Sequence, residues 1–156
     1  MKENNKPMRI CLAASAGGHL NQLLKLAKCW NNYNTFFITT SDVVQTKLSK
    51  HGKVYIVCEC NRQHLLKSLV ALFHCIKIIL KEKPDVVIST GAAVGCITCM
   101  LGKITGAKII WIDSITNIEK LSLSGRMVRP FANLFLAQWK QLSEQYVNVN
   151  YAGTLI

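Results

Sequence analysis

Arg9-Ile10-Cys11-Leu12-Ala13-Ala14-Ser15-Ala16-Gly17-Gly18-His19-Leu20 reads as an apolar strand, a glycine turn and the first turn of a helix. The apolar face of that helix continues through Leu20, Leu23, Leu24 and Ala27. Two adjacent glycines let the backbone turn sharply and approach a ligand with no Cβ in the way. The N–H groups that open a helix carry a partial positive charge, which suits phosphate. His19 adds a side chain able to exchange a proton near neutral pH. The stretch matches neither G-x-x-x-x-G-K-[ST] nor G-x-G-x-x-G, so neither nucleotide fingerprint is satisfied. A plain glycine turn with a surface histidine is the competing reading.

The first strand spans residues 8–14, behind a polar tail at 1–7, and the helix spans 18–30. A turn cluster at 31–34 leads to a β-branched and aromatic strand at 35–39. Ser41-Asp42 reads as a helix N-cap before 43–50, and 53–58 as a third strand. The longest helical pattern, 64–83, stops at Pro84, which cannot continue it. Buried strands follow at 85–89 and 107–112, separated by a helix of small residues that runs to about Lys103. Further strands are expected at 134–137 and 147–151. Strands alternating with helices predict a Rossmann-like α/β domain over 8–156, doubly wound around a mostly parallel sheet.

Ligands of such sheets bind beyond the carboxyl ends of the strands, where the strand order reverses. Three polar strand ends recur: the stretch from Ser15 to His19, Ser89-Thr90-Gly91, and Asp113-Ser114. The topology brings neighbouring ends to one rim, and that convergence says more than any of the three alone.

A chain of 156 residues fits one domain, and half its residues are hydrophobic. The 19 Lys+Arg against 8 Asp+Glu give a formal charge of +11 and point to an anionic partner. The first ten residues lack the apolar core of a signal peptide, so the seven cysteines are read as cytosolic thiols. Cys96-x-x-Cys99 has no second pair at zinc-like spacing and reads as helix packing, so no metal is expected.

Between Asn61 and Lys81 there is no acidic residue. Lys67, His74, Lys77 and Lys81 fall within roughly a quarter of the helix circumference at 100° per residue. Leu65, Leu69, Leu72, Phe73, Ile76, Ile79 and Leu80 take the opposite side, while Val70 and Ile78 spill into the basic face. This composition suits a helix lying in a membrane interface, with Phe73 on the apolar side and Lys67, Lys77 and Lys81 toward anionic headgroups. An ordinary amphipathic helix packed on the sheet is the alternative. The segment is shorter than the roughly 20 residues of a membrane span. Nucleic acid is disfavoured because the aromatics do not interleave with the basic residues.

With these motifs placed, the chain resembles the acceptor-side subunit of a split glycosyltransferase. Similar proteins are the bacterial PssD/CpsF-type exopolysaccharide proteins and the eukaryotic subunit that recruits the catalytic partner in dolichol-linked glycan assembly. The residues that carry the resemblance are Ser15 to His19, Ser89-Thr90-Gly91, Trp111-Ile112-Asp113-Ser114, Leu121-Ser122-Leu123-Ser124-Gly125-Arg126 and Leu136-Ala137-Gln138-Trp139. That group is similar in turn to the N-terminal half of MurG-type enzymes of the GT-B fold. Departures are Asp113 where glutamate is frequent, Lys140 where proline follows the tryptophan, and the lack of the N-terminal membrane helix of the eukaryotic relatives.

The resemblance implies a polyprenyl-diphosphate-linked saccharide as acceptor and a separate small subunit that carries the nucleotide-sugar site. It implies action at the cytoplasmic face of the plasma membrane, in capsular or exopolysaccharide assembly, with no cofactor. His19 is then the candidate base or hydrogen-bond donor, and Asp113 a base or a group orienting the acceptor hydroxyl. Ser15, Gly17, Gly18, Thr90, Gly91 and Ser114 would cradle the diphosphate. The final segment, 147–156, is the expected partner-facing edge. Two rival classes stand beside this one: a non-catalytic membrane anchor or activator, and a dinucleotide-dependent oxidoreductase favoured only by Asp42 after the second strand.

Overall fold

A computed structural model of the chain describes residues 7–30, 32–59 and 65–155. Residues 1–6 of the expected tail, and Asn31, Arg62, His64 and Ile156, lie outside the described residues. The strands are β1 (Arg9–Ala13), β2 (Asn34–Thr39), β3 (Lys53–Ile56), β4 (Val86–Ser89), β5 (Lys108–Ile112), β6 (Leu134–Ala137) and β7 (Asn150–Tyr151). The helices are α1 (Gly18–Lys25), α2 (Gln45–Leu48), α3 (Leu65–Glu82), α4 (Ala92–Ile104), α5 (Leu123–Val128) and α6 (Lys140–Gln145). All seven strands form one sheet in the order β3-β2-β1-β4-β5-β6-β7, and each neighbouring pair is parallel. The strand order reverses between β1 and β4, which makes their carboxyl ends the switch point of the doubly wound fold.

The sheet divides the core into two layers. On one face Cys11, Phe36, Ile38, Val87, Ile109, Trp111 and Phe135 pack with Cys75 and Ile79 of α3, Cys99 of α4 and Leu142 of α6. On the other, Ile10, Leu12, Phe37, Val86 and Ile88 pack with Leu20 and Leu23 of α1 and Leu48 of α2. Side chains alternate faces along each strand, so every central strand feeds both layers and reads as a near-continuous apolar run.

Several boundaries differ from the sequence reading for visible reasons. The first helix ends at Lys25, and a 3-10 turn at Ala27–Cys29 follows in place of a helix to residue 30. Leu26 N–H donates to the Leu23 carbonyl at 3.1 Å, tightening the chain as Trp30 is drawn into the core. Ser41 does cap the next segment by accepting from Val43 N–H at 3.3 Å, but its first turn is 3-10 and α2 is one short turn. The helices α5 and α6, each only six residues long, are too short to show a helical period in the sequence.

Glu82 is 5% exposed, and burying a carboxylate is costly unless it is paired. It pairs with Arg9 and Lys53 and accepts from the Tyr55 hydroxyl, tying the last turn of α3 to β1 and β3. Four cysteines, Cys11, Cys75, Cys96 and Cys99, are buried, whereas Cys29 and Cys58 are exposed. Burial pushes the thiols of Cys11 and Cys99 well above the usual range, with neighbouring thiols adding to the shift. A thiolate-selective reagent such as dithionitrobenzoate is therefore expected to modify Cys29 and Cys58 in the native protein. Cys11, Cys75, Cys96 and Cys99 should react only after unfolding; rapid native labelling of Cys11 or Cys99 would contradict this packing.

Candidate functional site

The register aligns the ends of the central strands: Ala13 lies beside Ser89, and Ser89 beside Trp111. The polar segments after β1, β4 and β5 therefore leave the sheet along one rim. Gly17 caps α1 with φ +105° and Gly91 caps α4 with φ +139°, conformations that glycine adopts at no steric cost. Neither helix has a side-chain cap. Apart from Leu20 N–H, which the Ser15 carbonyl takes, their first-turn N–H groups thus have no side-chain capping oxygen, at the positive ends of two helices on opposite sides of the switch point. Ala92, directly after Gly91, also has positive φ, +65°, a strained conformation for a residue with a Cβ.

His19 is half-buried between these turns. Its Nδ1 lies 2.9 Å from the Thr90 carbonyl, and the Thr90 hydroxyl donates to the His19 carbonyl at 2.6 Å. A carbonyl can only accept, so Nδ1 carries the proton and the neutral ring presents Nε2 as an acceptor. The space for the ring exists because residue 91 is glycine: a Cβ there would stand 2.5 Å from His19 Nδ1. The turn before α1 is pinned from the residue that follows β2, since Ala16 N–H donates to Thr40 Oγ1 at 3.1 Å. Ser15 is half-buried in the same turn, and its carbonyl accepts from Leu20 N–H at 3.2 Å.

Two hydroxyls expected to face phosphate are turned into the protein instead. Thr90 is fully buried and committed to His19. Ser114 is 4% exposed; its Oγ accepts from Gln22 Nε2 at 3.1 Å and lies 3.0 Å from Thr116 Oγ1. Gln22 stands three residues after His19 on α1, so the two share a helix side. That i+3 spacing is the only sign in the sequence that Gln22 belongs to the rim.

Asp113 is 1% exposed, and both of its oxygens are occupied. Oδ1 accepts from Trp111 Nε1 at 3.1 Å and Ser122 Oγ at 2.6 Å; Oδ2 accepts from Ser122 N–H at 3.0 Å and Asn117 Nδ2 at 3.2 Å. The carboxylate closes the loop between β5 and α5 into a ring, and Ser122 also caps α5 by accepting from Gly125 N–H at 2.8 Å. Among the described residues no group of His, Cys, Asp or Glu is arranged to hold a metal.

The basic helix is placed differently from the rim residues. Lys67, Phe73, Lys77 and Lys81 are all exposed on α3, with Phe73 at 60%. The apolar side of the sequence reading splits in two. Ala71, Cys75, Ile78 and Ile79 face the sheet, whereas Leu66, Leu69, Val70, Phe73 and Leu80 face outward among the lysines. Ile79, assigned above to the membrane side, is core, and so is Ile78, assigned to the basic face; the stripe that the sheet covers decides both. Among the described residues no helix is long and apolar enough to cross a membrane.

The sheet order, the switch-point rim and the helices on both faces define one Rossmann-like half of a GT-B glycosyltransferase fold. The crystal structure of MurG from Acinetobacter baumannii superposes with a TM-score of 0.77 at 14% identity, over 95% of this chain and 46% of MurG. UDP-N-acetylglucosamine 2-epimerase from Rickettsia bellii does so at 0.69 and 11% identity, so the likeness shows the fold alone. The chain belongs to the family of oligosaccharide biosynthesis proteins described as Alg14-like, whose pattern matches residues 10–155. The mouse UDP-N-acetylglucosamine transferase subunit ALG14 is 26% identical, with 96% of this chain and 83% of that protein aligned. Its namesake from Yarrowia lipolytica is 28% identical over 76% of this chain, which spans 57% of that relative's length.

Proposed function

We propose that this chain is the acceptor-binding, membrane-associating subunit of a two-component glycosyltransferase. The observation that carries the reading is the rim itself: two helix N-termini without side-chain caps meet at glycine turns, with the His19 ring between them. A polyprenyl-diphosphate-linked saccharide offers the two features such a rim suits, an anionic diphosphate for the N–H groups of Gly17 and Gly18 and a sugar hydroxyl for His19. The relatives named as UDP-N-acetylglucosamine transferase subunits support a transfer from a nucleotide sugar held by another chain. The motif resemblance to exopolysaccharide proteins supports a setting in capsular or exopolysaccharide assembly.

In the transfer, the acceptor oxygen forms a bond to the anomeric carbon as the bond to the nucleotide diphosphate breaks. His19 Nε2 takes the hydroxyl proton, and the electron pair leaves with the diphosphate, whose charge the partner's site must compensate. Thr90 and Gly91 hold the imidazole in the accepting tautomer. Asp113 holds the β5–α5 loop, with Ser114 on it, rather than touching the acceptor. The outward residues of α3, Phe73 and Leu69 with Lys67, Lys77 and Lys81, support attachment to the membrane that carries the lipid. Non-catalytic anchoring is the second reading, favoured by the full occupation of the Asp113 carboxylate.

The partner surface we assign lies on the α1 face of the sheet. An apolar groove of about 360 Å³ runs over Ile10, Ile88, Ile110 and Leu136, and Leu155 borders it. Leu155 N–H donates to Gln138 Oε1 at 2.9 Å, which holds the final residues across the sheet. Deleting residues 151–156 is expected to abolish co-purification with a co-expressed candidate small catalytic subunit, while the thermal midpoint shifts by only a few degrees. An intact complex after deletion would sink this assignment.

A further inference from the structure

We infer that the outer faces of α3, α4 and α5 together form one lipid-docking plane, of which α3 is only the first strip; the inference rests on the membrane reading above and extends it. The three helices lie side by side, α3 against α4 and α4 against α5. A helix covering a sheet normally turns polar residues to solvent. Here Ala93, Ile97, Met100 and Ile104 recur at helical spacing along the outer side of α4, and Ile104 is 80% exposed. On α5 Leu123 and Met127 are 48% and 51% exposed, continuing the surface begun by Leu66 and Phe73 at 79% and 60%. Between Met100, Ile104 and Phe131 lies an apolar hollow of about 240 Å³, room for methyl and methylene groups.

The charges decide the occupant. The only acid within these three helices is Glu82, which is buried and paired with Arg9 and Lys53. The cations Lys67, Lys77, Lys81, Lys103 and Arg126 are all exposed. A broad apolar surface set among cations, with no exposed anion on the three helices, matches a lipid surface with anionic headgroups. Nucleic acid would leave the apolar residues without a partner. Because α3 runs back to the start of β4, its exposed Leu66 and Leu69 lie at the end of the molecule that carries the His19 rim. Docking on this plane holds the Leu66 end of α3, and the rim beside it, against the surface from which a lipid-linked diphosphate projects.

Co-sedimentation of the full chain with vesicles of phosphatidylcholine containing about 30% phosphatidylglycerol tests this. Met100→Gln with Ile104→Gln on α4 should lower the partition coefficient about tenfold, as Leu69→Gln with Phe73→Gln on α3 does. Val43→Gln, at a site 85% exposed but off the plane, should change it less than about twofold. Met127→Gln on α5 repeats the test independently should the α4 pair lower the thermal midpoint. Wild-type partition by both the α4 and α5 variants, with loss only in the α3 variant, overturns the plane and leaves α3 as the sole contact. Failure of the wild-type chain to sediment with vesicles overturns the membrane reading, and the plane with it.

Discussion

Replacing His19 by Ala or Asn in the reconstituted two-chain enzyme is expected to lower kcat by about 10²–10⁴, the usual worth of a positioned proton acceptor. The pair of variants separates chemistry from architecture. Asparagine places an N–H where Nδ1 stands, so it can still donate to the Thr90 carbonyl, now 2.9 Å from the ring. It has nothing at the position of Nε2. If His19 served only to clasp the two turns, His19→Asn would restore turnover and His19→Ala alone would be impaired. Loss in both variants, with partner binding intact, assigns Nε2 to the reaction. Normal turnover in His19→Ala combined with Asp113→Asn would instead make the chain an anchor for a partner that does all the chemistry.

Asp113→Ala is expected to destabilise the fold by about 3–5 kcal/mol, because the N–H groups of Trp111 and Ser122 lose their acceptor inside the protein and each such loss costs roughly 1–3 kcal/mol. For a domain of this size that lowers the thermal midpoint by about 10 °C. Asp113→Asn should also destabilise, since its amide N–H₂ would face donors where the carboxylate meets Trp111 Nε1 and the Ser122 N–H and hydroxyl. Thermal unfolding followed by circular dichroism measures both. An Asp113→Asn variant with an unchanged midpoint and abolished turnover would place the carboxylate in the chemistry and not in the loop.

Much of the architecture was legible because its signals are local and strong. Runs such as Val86-Val87-Ile88 and Ile109-Ile110-Trp111 can only be central parallel strands, and the polar ends that follow them had to share a rim once the winding was known. What the sequence hid is decided by partners far away in the chain. Asp113 reads as an available acid until Ser122, nine residues on, is seen to take both of its oxygens. Thr90 reads as a phosphate ligand until its hydroxyl is found on the His19 carbonyl, 71 positions away. On α3, composition alone could not say which apolar stripe the sheet would claim; Ile78 and Ile79 went inward, and Phe73 stayed out. Helix α5 was masked by Gly125, a poor helix former kept small because a Cβ there would stand 2.8 Å from Asp113 Oδ1.

A chain that supplies only the acceptor side of a transferase depends on a second chain to complete it. Membranes from cells expressing this chain with a candidate small catalytic subunit should transfer sugar from a nucleotide sugar to a lipid-diphosphate-linked saccharide. Product is expected only when both chains are present, and neither alone should exceed background. Equal product from the partner alone would contradict an acceptor-side role for the rim around His19.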